Sequence, residues 1–153
     1  MTRSLARAAF LAFVAASWSS AQQSAGATPR PKIHKGLEIA VVGIERASSA
    51  ALGDCPPGAN TQRAMARAGE EFAIVTVSLK VLPSYTPAPM KRPVLADRVG
   101  KTYNTAASFV DPAKVPESSC VFPDRVPAGT KLKNLQIDEV FFDLTSLDSK
   151  TPP

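Results

Sequence analysis

Apolar and polar residues alternate most regularly along residues 70–82. One phase of this segment carries the apolar side chains of Ala73, Val75, Val77, Leu79 and Val81. The opposite phase is polar at positions 76, 78 and 80. Successive side chains of a strand point to opposite faces, so this alternation is typical of a half-buried strand. The segment therefore predicts a central β-strand, which ends at Pro83 because proline cannot donate to a strand ladder.

Two further patterns predict strands in the first two thirds of the chain. Residues 33–45 alternate in the same way and predict the first strand. A β-hairpin is predicted at approximately 93–97 and 101–105, because Asp97 and Gly100 suit the two ends of a tight turn.

The last third of the chain predicts two more strands. One is short, near 119–122, and a turn at Pro127-Ala128-Gly129 separates it from the next. Residues 130–144 are predicted to form the final strand. Their apolar positions do not keep one phase, so we expect a bulge or break near Asp138-Glu139.

The connecting segments are rich in turn-forming residues. Residues 47–69 lose periodicity and predict a long loop, in which a short helical turn around 60–67 is an alternative. Four prolines stiffen the connection 83–93. Several short strands and no convincing helix predict an all-β antiparallel sandwich, and a small barrel is the main alternative.

The N-terminal residues predict a secretory signal peptide over 1–21. Arg3 and Arg7 precede an apolar run of eleven residues at 8–18, and small residues lead to a cleavage site after Ala21. The run is too short to span a bilayer, which needs about 20 apolar residues. An uncleaved anchor is the alternative reading.

The rest of the chain is expected to divide into three parts. Residues 22–32 form a flexible lead-in, 33–146 form the sandwich, and 147–153 form a disordered tail. No later apolar stretch is long enough to cross a membrane, and no cysteine stands near the cleavage site. We therefore expect a secreted or periplasmic protein without a membrane span or lipid anchor.

The net charge is smaller once the predicted leader is removed. The chain of 153 residues carries 18 Lys and Arg against 13 Asp and Glu, a net charge of +5. Cleavage after Ala21 removes two arginines and no acid, which leaves +3 on 132 residues. The remaining basic residues are scattered, so we expect no nucleic-acid partner.

Cys55 and Cys120 are the two cysteines of the chain. In an oxidising compartment an even pair predicts a disulfide, here across 65 residues. A redox-active or nucleophilic cysteine is the alternative, although the chain has no C-x-x-C motif.

Motifs in a fixed order add a family resemblance. They are Gly36–Ile44, Gly69-Glu70-Glu71-Phe72 through Val77, Leu95-Ala96-Asp97 with Gly100-Lys101 and Tyr103, Pro127-Ala128-Gly129, and Phe142-Asp143-Leu144. Together they resemble the immunoglobulin-like (telokin-like) domains of unknown function in bacterial exported proteins and lipoproteins. The resemblance implies an immunoglobulin-like sandwich of about 6–8 strands. Thr145 replaces the usual proline, no clear last strand follows, and the family has no agreed catalytic residues to transfer.

Motifs for the common chemistries are sparse. The single histidine, His34, is flanked by lysines and is expected to be an exposed surface residue rather than a catalytic one. Met65 and Met90 are the methionines left to form a copper site with His34, and each is isolated in sequence. We therefore predict no catalytic residue, no metal and no cofactor.

Adjacent carboxylates occur at Glu70-Glu71 and Asp138-Glu139. Neighbours on a strand point to opposite faces, so these residues are expected to be solvated charges at strand ends. Tyr103 is expected to be a core or rim aromatic residue rather than a ligand contact.

The loops 47–69 and 83–93 are the expected binding surfaces, because loops on a rigid scaffold carry most binding sites. We expect an exported, non-enzymatic module that binds a protein or a cell-envelope component. The alternatives are a small secreted enzyme or enzyme inhibitor acting through a loop, with Glu71, Asp97 and Asp138 as the acids to test, and a purely structural envelope module.

Overall fold

The computed structural model describes residues 28–58, 61–110, 112 and 115–149. The predicted leader, most of the lead-in and the end of the tail lie outside these residues, at 1–21, 22–27 and 150–153. The described part contains ten strands and one helical turn. In chain order they are β1 (Lys32–His34), β2 (Leu37–Ala47), β3 (Ser49–Leu52), β4 (Gln62–Met65), β5 (Glu70–Val81), β6 (Val94–Asp97), β7 (Thr102–Asn104), β8 (Glu117–Pro127), β9 (Leu132–Ile137), β10 (Val140–Asp143) and α1 (Thr145–Asp148).

Two four-stranded antiparallel sheets form a sandwich. One has the strand order β1-β2-β5-β8 and the other β10-β9-β6-β7, while β3 and β4 pair separately. The prediction of an all-β antiparallel sandwich is therefore confirmed. The eight strands of the two main sheets match the expected number, and β3 and β4 are additional.

The hydrophobic core lies between the two sheets and follows the alternation of the strands. The first sheet contributes Leu37, Ile39, Val41, Val75, Val77, Leu79 and Phe122, and the second contributes Leu95, Leu132, Leu135, Ile137 and Phe142. Full burial of one such side chain stabilises the fold by roughly 1.5–3 kcal/mol. Strand β5, whose alternation is the clearest, lies between β2 and β8 and contributes Val75, Val77 and Leu79 to this core.

The predicted strand at 33–45 is instead a hairpin, β1 and β2. Lys35 and Gly36 form its turn with φ of 49° and 76°. A two-residue turn of this kind needs positive φ, which glycine adopts without strain. The alternation continues on both sides of the turn, so the periodicity does not reveal the reversal.

The predicted strand at 130–144 also divides into a hairpin, β9 and β10. Its turn is Asp138-Glu139, where Asp138 has a φ of 52°. The predicted place of the break is correct. The prediction of one bulged strand is wrong, because the chain reverses there and β10 pairs with β9.

Two other segments also differ from their predictions. The loop at 47–69 contains β3 and β4, so the helical turn considered around 60–67 is wrong. Strand β8 is longer than the predicted 119–122 and contains Pro123. Proline fits there because β8 is an edge strand, which among the described strands pairs with β5 alone.

The residues after β10 pack onto the sandwich. Helix α1 covers part of the segment assigned to a tail from 147 onward, and Asp148 is buried. Its carboxylate accepts a hydrogen bond from the Leu132 N–H at 2.8 Å. The Asp148 carboxylate also forms an ion pair with Arg46 of β2. These two contacts hold the short helix on the sandwich.

Candidate functional site

A groove of about 330 Å³ opens between the proline-rich loop 83–93 and a wall formed by Phe109, Val110 and Pro112. Its lining residues are aliphatic, aromatic or proline, as is usual for a ligand-binding surface, while polar atoms contribute nearly half of the exposed area. One wall consists of Tyr85, Pro87, Ala88, Pro89 and Met90, and the other of Phe109, Val110 and Pro112. We call this feature the proline groove.

The first wall is fixed by a close backbone contact with the β1–β2 turn. A side chain at Gly36 would place its Cβ 2.2 Å from the Tyr85 Cα, so only glycine fits there. The Leu82 N–H donates to the Gly36 carbonyl, and the Tyr85 N–H donates to the Leu82 carbonyl. The turn between β1 and β2 therefore sets the position of Tyr85.

A buried carboxylate anchors the far end of the same loop. Asp138 accepts hydrogen bonds from His34 Nε2 and Lys35 Nζ, both at 2.7 Å, and from the Lys91 N–H. Lys35 Nζ also reaches the Pro89 carbonyl at 3.4 Å. The bonds from Lys35 and His34 lower the pKa of Asp138 to about 2, so it is ionised at neutral pH. We call His34, Lys35 and Asp138 the carboxylate clasp.

The clasp corrects two predictions. His34 was expected to be exposed, but only 14% of its side chain is exposed and it is bonded to Asp138. Asp138 was expected to be a solvated charge, but 3% of its side chain is exposed. The two residues lie far apart in sequence, so the strand pattern alone contains no signal for their contact.

The second wall of the groove is tied to Cys55. The Cys55 N–H donates to the Ser108 carbonyl, and the Val110 N–H donates to the Cys55 carbonyl. Cys55 and Cys120 form the predicted disulfide, with their Cα atoms 5.3 Å apart. The Phe109 ring also packs on Phe122 of the core, with centroids 5.6 Å apart. This wall therefore has both covalent and packing support.

The groove combines one expected loop with one that sequence reasoning missed. Loop 83–93 was expected to be a binding surface, and it forms one wall. Among the described residues of 47–69, Cys55 supports the groove, and Phe109, Val110 and Pro112 supply the second wall instead. The apolar pair Phe109-Val110 among turn residues was the available signal.

The three candidate acids do not lie together in one cleft. Glu71 pairs with Arg46 at 2.9 Å and accepts the Gly129 N–H. Asp97 accepts the backbone N–H groups of Val99 and Lys101 and the hydroxyl of Tyr103. Together with Asp138 in the carboxylate clasp, each of these acids binds backbone or basic groups that hold a turn.

The side chains considered for copper lie on separate elements. Met65 is exposed in β4, Met90 lines the proline groove, and His34 is bonded to Asp138. Within the described ranges, no group of three or more histidine, cysteine or acidic residues is arranged to hold a metal ion. Nor is any helix in those ranges long and apolar enough to cross a membrane.

Asp124 of β8 carries an unusual buried carboxyl group. It lies on the core-facing side with Phe122 and Val126, and neither of its oxygens has a hydrogen-bond partner among the described residues. Burial raises its pKa to about 8, because a charge without a partner is costly inside the core. The carboxyl group is therefore protonated at neutral pH.

The Asp124 carboxyl predicts a loss of stability as the pH rises. The unfolded chain releases this proton near pH 3.8 and the folded chain near pH 8, so stability falls across that window. We expect Asp124→Asn to remove this dependence and to be more stable than the parent at pH 8 by about 2 kcal/mol or more. Denaturant unfolding at pH 5 and pH 8 measures both effects. The exposed Asp54→Asn is the control, and identical pH profiles for Asp124→Asn and the parent would refute the assignment.

Comparisons with known proteins add a likeness of fold. No family model matches the chain, and no curated protein matches it. Among solved structures, it is similar to an uncharacterized β-sandwich protein from Clostridium difficile 630, with 12% sequence identity and a TM-score of 0.46. The match covers 73% of this chain and 85% of that one.

Proposed function

We propose that this protein is a non-enzymatic binding module whose proline groove receives an extended segment of another protein. The observation that carries the proposal is the groove itself, which is lined by apolar and aromatic residues, open to solvent and anchored on both walls. A surface that is already rigid loses little conformational entropy on binding, so more of the contact energy contributes to affinity.

The chemistry of the groove favours a particular kind of segment. Grooves lined by aromatic residues bind extended or proline-rich chains, which lose little entropy because they are already stretched. Lys91 and Arg92 are exposed and directly follow Met90 at the groove wall. They favour a partner whose apolar residues are flanked by acidic ones, because opposite charges steer association.

The binding proposal is favoured over the enzyme alternative by the positions of the acids. Glu71, Asp97 and Asp138 each hold a turn through backbone or basic partners, and none of them lines the groove. Each of these carboxylates therefore has a structural role that accounts for its position without a catalysed reaction.

We further propose that the protein acts outside the cytoplasm. A disulfide is typical of oxidising compartments, and the Cys55–Cys120 bond agrees with the signal peptide predicted at 1–21. We also propose that the protein is related to the bacterial exported immunoglobulin-like (telokin-like) domains. The order of the sequence motifs and the sandwich fold support this relationship.

Selection from a phage library of random twelve-residue peptides tests the groove. We expect the protein to enrich peptides with an apolar centre and acidic flanks. Ala88→Gln places a bulkier neutral side chain on the groove wall, so the enriched peptides are expected to bind it at least about tenfold more weakly, a loss of about 1.4 kcal/mol. Fluorescence anisotropy with labelled peptides measures this difference.

Ala128→Gln is the matched control, because Ala128 is also exposed but lies in the turn between β8 and β9. It is expected to bind the peptides as the parent does. The double change Lys91→Gln, Arg92→Gln is expected to weaken peptide binding. It is also expected to make the remaining affinity less sensitive to salt concentration. Failure to enrich any motif, or equal affinity for Ala88→Gln and the parent, would contradict the proposal.

A further inference from the structure

A second cavity, of about 290 Å³, shares no lining residue with the proline groove. Its floor and walls are mostly apolar and include Leu52, Phe72 and Pro123. Its polar groups are Asn104 and Arg125, while Tyr103 contributes a ring. We call this feature the arginine pocket.

Arg125 is held in a defined orientation at the pocket. Its guanidinium lies 5.4 Å from the centre of the Phe72 ring, a cation–π contact. Its Nη2 donates to the Met65 carbonyl of β4 at 3.0 Å, the one hydrogen bond of this guanidinium within the described residues. Its other N–H groups have no hydrogen bond among the described residues. A fixed planar guanidinium matches the two oxygens of a carboxylate.

Apart from Arg125, the residues that line the pocket are neutral, and Lys101 lies beside the lining residue Tyr103. Lys101 Nζ lies 5.1 Å from the centre of the Tyr103 ring. The Tyr103 hydroxyl donates its hydrogen bond to Asp97, so it does not donate one to a ligand in the pocket. The side chain of Asp124 lies on the opposite face of β8 from Arg125 and is unionised at neutral pH. The cavity therefore combines an apolar floor with a cationic end.

We propose that the arginine pocket binds a small organic carboxylate with an apolar ring or chain. The apolar part would lie against Phe72 and Pro123, and the carboxylate would accept hydrogen bonds from Arg125. The exposed Asn104 amide can accept or donate one further bond at the rim. The volume admits a ligand about the size of a single ring with a short side chain.

Two probes of matched size test this proposal. Phenylacetate carries the carboxylate, and 2-phenylethanol replaces it with a neutral hydroxyl. In a two-dimensional NMR titration we expect saturable shifts of the Phe72, Asn104 and Arg125 amides with phenylacetate, and a dissociation constant of about 1 mM. We expect 2-phenylethanol to bind at least about tenfold more weakly, because it cannot accept paired hydrogen bonds from the guanidinium.

Variants at two arginines separate recognition from general charge. Arg125→Gln is expected to weaken phenylacetate binding at least about tenfold, and Arg125→Lys is expected to weaken it too, because lysine keeps the charge but loses the planar fork. Arg63→Gln, on the neighbouring β4, is the control and is expected to bind as the parent does. Absence of saturable shifts, equal binding of the neutral probe, or unchanged binding by both Arg125 variants would overturn the proposal. None of these outcomes depends on the proline groove.

Discussion

Arg46→Met is expected to lower the free energy of unfolding by about 3–5 kcal/mol. The Arg46 side chain is 9% exposed and joins three parts of the chain. It donates to Glu71 at 2.9 Å, to the Thr130 carbonyl at 2.8 Å and to Asp148 at 2.5 Å. Methionine keeps much of the side-chain volume but leaves the Asp148 carboxylate buried without its cation. Urea unfolding followed by circular dichroism measures the loss.

Two further variants identify the source of this effect. Lys80→Met breaks an exposed ion pair with Glu117 at 3.6 Å, and we expect it to cost less than about 1 kcal/mol. The double change Arg46→Met, Asp148→Asn is expected to recover part of the loss, since it removes the unpaired charge and keeps an acceptor for the Leu132 N–H. A single Arg46 variant within about 1 kcal/mol of the parent would contradict this account.

Loss of the disulfide is the second change with a large expected effect. Cys55→Ala combined with Cys120→Ala is expected to lower the free energy of unfolding by about 4 kcal/mol, because the bond closes a loop of 65 residues in the unfolded chain. Domains of this kind are stable by only about 5–15 kcal/mol. The variant also removes the covalent link that holds the Cys55 side of the proline groove, so we expect weaker peptide binding.

Reduction provides an independent check of the disulfide. The parent in a strong reductant is expected to unfold at the denaturant midpoint of the double alanine variant, and the reductant is expected to leave that variant unchanged. Non-reducing peptide mapping should link Cys55 with Cys120. Two free thiols in the protein folded under oxidising conditions, or equal midpoints for the oxidised parent and the variant, would contradict the expectation.

The strands that the sequence predicted well are those whose signal is local. Strand β5 carries an apolar residue at every second position from Ala73 to Val81, and both its position and its buried face are confirmed. The hairpin of β6 and β7 is confirmed as well, because Asp97 and Gly100 define its turn. The pairing of Cys55 with Cys120 needed no geometry, since two cysteines allow one bridge.

The elements that the sequence missed depend on contacts between distant residues. Strands β3 and β4 have little apolar alternation of their own, and they pair with each other across their loop. The position of α1 depends on Asp148, which bonds to Arg46 across 102 residues. The carboxylate clasp joins Asp138 to Lys35 across 103 residues.

The sequence by itself determined the fold class, the central strand, the hairpin and the disulfide. These features follow from alternation, turn chemistry and cysteine number, which are properties of short segments or of composition. Only the tertiary structure decided that the loop 83–93 faces Phe109, Val110 and Pro112, and that Arg125 lies over Phe72. It also decided that Asp124 is buried with no hydrogen-bond partner among the described residues. Binding surfaces and buried charges depend on which distant residues the sheets bring together, and the period of a strand does not encode that proximity.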